Sequence, residues 1–485
     1  MAKITLIYNA QLLDENTDGP GAILIEDKQI RSIFQGYFTS LETVTDFARS
    51  VLKEDGYSPS EKIEFYNAQG LTVTPAFIDM HVHLRYPGQT QKEDLESGLK
   101  AAIAGGVGTV VAMPNTKPVV SSYEMALQIE KEATALGLAH VFQTVSLTRD
   151  FGGEDTSHLD KIERANIPVI TEDGKDVLSS ALMLEAMTKA AKKGIIVSCH
   201  SEDMTLGMMA FPYRQNALKI MKENGLSAWG AGDITNIDKK ALSKIDKDLT
   251  AANNYLALAE DVATIRNIML ARQADCHVHI AHVSTKKSID AVREGKKLAE
   301  NLFKKQNENS KNKSCNFTVT CEVTPHHLAL AGTEEPMIRA LVNPPLRPES
   351  DRLALIEALR DGTADVISTD HAPHTMDDKA AGSPGFTGIE TSYAVCNTVL
   401  VKQNDFHPRR LSQLMSANPA RILGLNKGLL KPGYDADLTL LNPDEEWTVC
   451  AKDFFSKGKA TPFEGKRLTG KVHTVFIDGK MVFER

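Results

Sequence analysis

Apolar runs of strand length alternate with segments of helical periodicity through most of this chain. The runs occupy eight ranges, 71–83, 106–115, 140–147, 167–173, 195–200, 277–283, 317–326 and 364–370. Most intervals between them space their apolar residues as amphipathic helices do, for example 93–104, 122–136, 180–193 and 351–359. Strands that are apolar on both faces and separated by helices are typical of a buried parallel sheet. Eight such units predict an α/β fold, a TIM-like (β/α)8 barrel.

The two ends of the chain show instead the alternation of half-buried strands. Residues 3–8 and a hairpin over 22–33 lie at one end, and residues 436–441 and a hairpin over 472–483 lie at the other. Short β segments cannot bury a face alone, so we expect the two ends to pair into one small composite β-sandwich beside the barrel.

The predicted domain organisation follows from these two patterns. The barrel takes residues 71–430, and the small β domain takes residues 1–70 and 431–485. Three polar stretches look inserted, namely 36–60, 203–251 and 297–314, and we expect short helices in the second.

Composition narrows the range of partners. The chain has 63 acidic and 55 basic residues and a net charge of -8, which speaks against a nucleic acid or an anionic membrane as partner. No run approaches the roughly 18 apolar residues of a membrane-spanning helix. Six cysteines without a CxxC pair indicate buried, reduced thiols in a cytoplasmic protein.

Metal-binding residue types collect at the C-terminal ends of the predicted strands, where barrels of this kind carry their active sites. These residues are His81, His83, Asp173, His200, His282 and Asp370. Residues two apart on a strand point to the same side, so His81 and His83 are expected to face the barrel axis together. Imidazoles with a carboxylate between them are ligands for zinc or a similar divalent ion. The pattern predicts a two-metal site at the barrel mouth.

Five motifs resemble those of the amidohydrolase superfamily in its dihydroorotase form, and among these the class I enzymes most. They are FIDMHVHLR at 77–85, MPNT at 113–116, AHVST at 281–285, NPPLR at 343–347 and STDHAPH at 368–374. The resemblance implies one or two zinc ions per chain in a binuclear site, with Asp173 as the bridging carboxylate. It also implies that Asp370, itself a metal ligand, acts as general base and acid. The residues implied to hold the substrate are Arg85, Asn115, Asn343, His374, Pro384 and Gly385.

The resemblance implies a reversible reaction between (S)-dihydroorotate and N-carbamoyl-L-aspartate in pyrimidine biosynthesis. Arg85 decides between substrates, because its planar fork pairs with a carboxylate that hydantoins and allantoin lack. Two alternatives stay open: a hydantoinase or allantoinase on the same fold, and an inactive barrel that serves as a scaffold for aspartate transcarbamoylase. We expect a small-molecule substrate and a homo-oligomer. An association with aspartate transcarbamoylase is also left open.

Overall fold

The computed structural model describes residues 3–38, 40–54, 56, 62–226, 237–308, 316–332 and 342–485. Its strands are β1 (Ile4–Leu13), β2 (Asp18–Glu26), β3 (Gln29–Gln35), β4 (Ile63–Asn67), β5 (Thr72–Pro75), β6 (Phe77–Val82), β7 (Val107–Ala112), β8 (His140–Gln143), β9 (Val145–Ser146), β10 (Val169–Thr171), β11 (Ile196–Cys199), β12 (His277–Ile280), β13 (Thr318–Val323), β14 (Val366–Ile367), β15 (Leu438–Thr448), β16 (Arg467–Ile477) and β17 (Lys480–Glu484).

The α-helices of the described residues are α1 (Leu41–Glu54), α2 (Leu95–Ala104), α3 (Tyr123–Ala135), α4 (Ser180–Lys193), α5 (Met204–Glu223), α6 (Lys239–Ala274), α7 (Lys286–Glu308), α8 (Pro325–Ala329), α9 (Glu349–Asp361), α10 (Met376–Ala380), α11 (Ser392–Cys396), α12 (Pro408–Ser412) and α13 (Asn418–Leu423). No helix among these residues is long and apolar enough to cross a membrane.

The predicted barrel is confirmed, with parallel strands at all eight apolar runs. One ladder joins β6, β7 and β8, and a second joins β9 through β14. β8 and β9 belong to the same run, which is interrupted at Thr144, so this run connects the two ladders. β6 and β14 share no continuous ladder. Instead, Val82 forms an isolated bridge with His371, and His83 N donates to His371 O at 2.8 Å.

The first apolar run, residues 71–83, was predicted to be one strand, and the structure shows two. It divides into β5 and β6, and β5 leaves the barrel to pair with β1 and β15. Pro75 ends β5 because it has no N–H to continue a ladder. The pairing of the two chain ends is confirmed, since β5 joins them in one sheet of order β17-β16-β15-β5-β1-β2-β3 with β4 on β1. The domain boundaries themselves stay a prediction.

The insertion over 203–251 forms long helices where we expected short ones. It contains α5 of 20 residues and the start of α6, which has 36 residues. The two helices pack through Ala217, Met221, Ile245 and Leu249, an apolar set diluted by the surrounding polar residues in the sequence. Parts of the predicted insertions lie outside the described residues, namely 39, 55, 57–60, 227–236 and 309–314.

Candidate active site

A cavity of about 250 Å³ opens at the C-terminal ends of the barrel strands. The predicted site residues that line it are His83, Arg85, Asn115, Asp173, His200, His282, Asn343, Asp370, His374, Pro384 and Gly385. His81 is buried and contacts Asp173 and Asp370 of this group. Gly174, Ala372 and Ser383 complete the lining. The structure therefore brings all the predicted residues together.

Two groups of possible ligand atoms share His81. One group is His81, His83 and Asp370, and the other is His81, Asp173 and His282. His81 Nε2 lies 3.2 Å from Asp173 Oδ1 and 3.6 Å from Asp370 Oδ1. His200 approaches from β11, with its Nδ1 3.4 Å from Asp173 Oδ1.

Two buried atoms of this cluster have no hydrogen-bond partner among the described residues, His81 Nε2 and Asp173 Oδ1. They lie 3.2 Å apart without forming a hydrogen bond to each other. Buried polar atoms are otherwise almost always paired. Imidazole nitrogens and carboxylate oxygens left in this way are suitable donors for a divalent metal. The residues therefore fit the metal that their sequence pattern predicts.

The carboxylates of the cluster are ionised at neutral pH. Burial by itself would raise the pKa of Asp370, but its close contact with His83 and the other neighbouring imidazoles lower that pKa to about 2. Burial would likewise raise the pKa of Asp173, but the close imidazoles of His81, His200 and His282, with His81 first, hold that pKa well below the usual range. The cluster therefore concentrates negative charge on buried side chains.

Arg85 and His374 form the other side of the cavity. Arg85 Nε donates to Pro373 O at 3.2 Å, and its Nη2 donates to His374 Nε2 at 3.1 Å. Burial lowers the pKa of Arg85 to about 10, so it stays charged at neutral pH. Strand alternation does not place it, because β6 ends at Val82 and Arg85 has a φ of 56°. The side chain nevertheless lines the same cavity as His83.

Comparisons with known proteins agree with this geometry. Residues 72–482 match the sequence profile of the amidohydrolase family. The chain belongs to the amidohydrolase family. Dihydroorotase from Clostridium botulinum is 35% identical over 481 residues, which cover 99% of each chain. Dihydroorotase from Aquifex aeolicus is 32% identical over 488 residues, again 99% of each chain. The resemblance that the motifs indicated therefore extends along nearly the whole chain.

Solved structures confirm the fold. L-hydantoinase (dihydropyrimidinase) from Arthrobacter aurescens aligns with a TM-score of 0.76 and 23% identity, over 100% of this chain and 96% of that one. Dihydropyrimidinase from Brevibacillus agri aligns with a TM-score of 0.73 and 21% identity, over 100% and 95%. The amidohydrolase family is metal-dependent, as the unpartnered donors of the cluster also indicate.

In this amidohydrolase, Glu322 of β13 hydrogen-bonds to a residue of the cluster and was missed in the sequence analysis. Its Oε1 accepts from His81 Nδ1 at 2.8 Å, and its Oε2 accepts from His279 Nε2 at 3.2 Å. Because Nδ1 of His81 carries the proton and donates a hydrogen bond to Glu322, Nε2 has its lone pair free for a metal. A single glutamate within the apolar run TVTCEV is the signal that could have revealed it.

Asn115 holds two cluster residues. His83 Nδ1 lies 2.9 Å from Asn115 Oδ1, and an amide oxygen only accepts, so Nδ1 is the donor. The amide nitrogen of Asn115 donates to Asp173 Oδ2 at 3.3 Å. Both ends of this amide are thus engaged within the protein. Lys175, near Asp173 in the sequence, turns to the surface and donates to Phe151 O at 2.9 Å.

Two further polar residues hydrogen-bond to residues of the cavity wall and were also missed in the sequence analysis. Lys379 is fully buried and donates to Ser383 O at 2.7 Å and Gly385 O at 2.8 Å, which shapes the loop that carries Pro384. Glu202 accepts from Asn343 Nδ2 at 2.5 Å. A carboxylate only accepts, so the amide nitrogen of Asn343 must face it, and Oδ1, which has no partner among the described residues, is left as an acceptor.

Proposed function

We propose that this amidohydrolase is a dihydroorotase, which interconverts (S)-dihydroorotate and N-carbamoyl-L-aspartate. The observation that carries the proposal is the pairing of two unlike groups in one cavity. A cluster of metal-ligand side chains faces the cavity from one side, and the buried guanidinium of Arg85 faces it from the other. A cyclic amide that bears a carboxylate has the two features that these groups would recognise.

The metal site is proposed to consist of His81, His83, Asp173, His200, His282 and Asp370, and to hold one or two zinc ions. Bound there, a divalent ion supplies Lewis acidity, since it acidifies water and polarises a carbonyl oxygen. The imidazole nitrogens and carboxylate oxygens of these six residues are ligand types that zinc binds. Asp173 lies within 3.7 Å of His81, His83, His200 and His282, which supports its role as the shared carboxylate.

Asp370 is proposed to move the proton. Its carboxylate lies 3.1 Å from His83 Nε2 and lines the cavity, so it can reach a water there. In the hydrolytic direction it takes a proton from the attacking water and delivers it to the ring nitrogen as the amide C–N bond breaks. In the reverse direction the same carboxylate removes the proton from the carbamoyl nitrogen, and the ring closes with loss of water.

Arg85 and His374 are proposed to orient the substrate through its carboxylate. Burial, and then the charge of Arg85, lower the pKa of His374 to about 3, so the ring is neutral at neutral pH. Asn115, Asn343 and the backbone near Pro384 and Gly385 complete the proposed contacts. Homo-oligomerisation, association with an aspartate transcarbamoylase and a cytoplasmic location stay predictions from the sequence.

The experiment is a dihydroorotate hydrolysis assay on the purified chain before and after metal removal. We expect the formation of carbamoyl-aspartate, its loss on thorough chelation and its recovery with zinc. Metal analysis of the same samples counts the ions per chain. Undiminished activity in a metal-free sample, or no turnover of dihydroorotate by the metal-loaded protein, would contradict the proposal.

A further inference from the structure

Glu202 lies between two parts of the candidate site. Its Oε2 accepts from Asn343 Nδ2 at 2.5 Å and lies 3.5 Å from Nε2 of His200. One oxygen thus faces a residue of the metal cluster and a residue expected to hold the substrate. Both partners line the cavity, and Glu202 itself does not. Any effect of this carboxylate on the reaction must therefore pass through His200 and Asn343.

The contact with His200 bears on which of its ring nitrogens is available to a metal. Nδ1 lies 3.4 Å from Asp173 Oδ1 and 2.9 Å from His282 Nε2, so this nitrogen points to the cluster. A neutral imidazole carries one proton, and a carboxylate only accepts. Glu202 therefore favours the form of His200 with the proton on Nε2, and the lone pair of Nδ1 stays free for a metal.

The contact with Asn343 decides which end of its amide can meet a ligand. Because Nδ2 is engaged by Glu202, Oδ1 is the acceptor that Asn343 has to offer, and it has no partner among the described residues. The N–H groups of a cyclic amide can donate to such an oxygen. Without the carboxylate the amide could turn and present its nitrogen, which offers only donors.

Helix α5, which belongs to one of the predicted insertions, contacts both Glu202 and the segment that carries Asn343. Gly207 lies in its first turn, and a Cβ there would overlap with Oε1 of Glu202. Two turns later, Arg214 Nη2 donates to Val342 O at 3.1 Å, next to Asn343. The insertion therefore keeps the carboxylate and the amide that it binds in one place.

We propose that Glu202 is a positioning residue that couples zinc binding to substrate binding. It sets the proton of His200 on the side away from the metal and turns the oxygen of Asn343 toward the substrate. For the identity of that substrate, dihydroorotate, the coupling rests on the proposed function. A purely structural role predicts a change in stability alone, whereas the coupling predicts losses in both kinds of binding.

The first test is Glu202→Ala, which removes the acceptor shared by His200 and Asn343. Zinc affinity, titrated against a competing chelator, should fall by roughly 10–100-fold. KM for dihydroorotate at saturating zinc should rise by roughly tenfold or more, as expected for a lost hydrogen bond to a charged group. Glu202→Gln keeps a neutral acceptor oxygen and should recover part of both losses. Asp203→Asn is the matched control and should behave as the wild type, because it also removes one carboxylate but keeps the oxygen that caps α5.

The second test moves the carboxylate without removing it. Gly207→Ala should lower zinc affinity and raise KM, as Glu202→Ala does, although alanine favours a helix and the melting temperature should not fall. Asn343→Ala should raise KM and leave zinc affinity unchanged. In the Asn343→Ala background, Glu202→Ala should raise KM less than it does in the wild type, because it acts on KM through Asn343.

Wild-type zinc affinity and KM in Glu202→Ala would overturn the inference, and a change in only one of them would overturn the coupling. Additive effects of Glu202→Ala and Asn343→Ala on KM would also contradict it. A wild type that binds zinc but leaves dihydroorotate intact would contradict the proposed function, while the zinc titration of Glu202→Ala would still test the contact with His200. Circular dichroism of each variant excludes loss of fold.

Discussion

On one side of the cavity the carboxylates of Asp173 and Asp370 lie among imidazoles, and Glu322 is buried beneath them. On the other side the guanidinium of Arg85 is buried and charged, and after burial and Arg214 it contributes to the lowered pKa of the buried Lys379 amine. Isolated buried charge is costly, so each side is stabilised by a ligand of the opposite sign. The first side needs a cation and the second an anion.

The difference explains how one small cavity would select its substrate. A metal on the first side would supply the chemistry for a cyclic amide with or without a carboxylate, whereas the charge of Arg85 on the second side would favour a ring that bears one. Chemistry and selectivity thus rest on different residues. Substitutions on the metal side should therefore change catalysis, and substitutions on the Arg85 side should change selectivity between substrates.

The largest effect is expected for His81→Ala, which removes a donor common to both ligand groups. Metal content should fall, and kcat/KM should drop by roughly 10³-fold or more, since metal assistance contributes several kcal/mol. The fold should persist because His81 is outside the apolar core. Metal analysis and circular dichroism check both points, and a variant that keeps its metal and its activity would remove His81 from the site.

Arg85→Met tests the second side. Loss of one partner of a buried charge pair costs about 2–5 kcal/mol, so kcat/KM for dihydroorotate should fall by roughly 30-fold or more. Metal content should stay unchanged. Dihydrouracil, which has the ring without the carboxylate, is the matched control substrate and should lose little. Equal losses on both substrates would show that Arg85 only maintains the structure of the segment that follows β6.

Glu322→Gln tests the support beneath the metal ligands. Substitution of a group that orients a metal-binding histidine typically lowers metal affinity by about 10–100-fold, and we expect a loss in that range for Glu322→Gln. Glu172→Gln is the control, because Glu172 is buried near the same mouth but accepts from Thr148 N at 2.8 Å. Zinc titration of both variants compares them. Equal affinities in the two variants would contradict the role of Glu322.

The smallest effect concerns Lys379. Burial, and then the charges of Arg214 and Arg85, lower its pKa to about 7, below the roughly 10.4 of an unfolded lysine. Between these values the unfolded chain binds a proton that the folded chain does not, so this group makes stability rise with pH. Its slope reaches at most about 1.4 kcal/mol per pH unit. Lys379→Met should flatten urea-unfolding stability between pH 7 and 9. Parallel curves for variant and wild type would contradict this pKa.

The cluster could be predicted from sequence because strand order decides it. Histidine and aspartate at the ends of apolar runs must converge once the barrel forms, as His200 and His282 do. Glu322 escaped prediction because a charged residue within a strand gives no sign of its partner, His81, on another strand. Arg85 was implied by the resemblance of its motif, but its left-handed backbone has no signature in a sequence without glycine at that position.

The length of α5 and α6 was also not predictable from periodicity. Met221 of α5 and Ile245 of α6 belong to a cluster that the two helices share apart from the barrel core, and only the end of α6, at Ile268 and Ala271, packs in that core. Each helix alone therefore shows a weak apolar face. The contact between α5 and α6 joins residues far apart in the sequence, as the contact between Glu322 and His81 does. The pattern of residues along one segment gives no information on such contacts.

The most direct test of the account compares dihydroorotate with dihydrouracil as substrates of the zinc-loaded wild-type chain. The two rings differ in the carboxylate that Arg85 would bind, and share the amide that the metal side would cleave. We predict that kcat/KM for dihydroorotate exceeds that for dihydrouracil by roughly 30-fold or more. Equal or faster hydrolysis of dihydrouracil would contradict the account and favour a hydantoinase or dihydropyrimidinase activity on this fold.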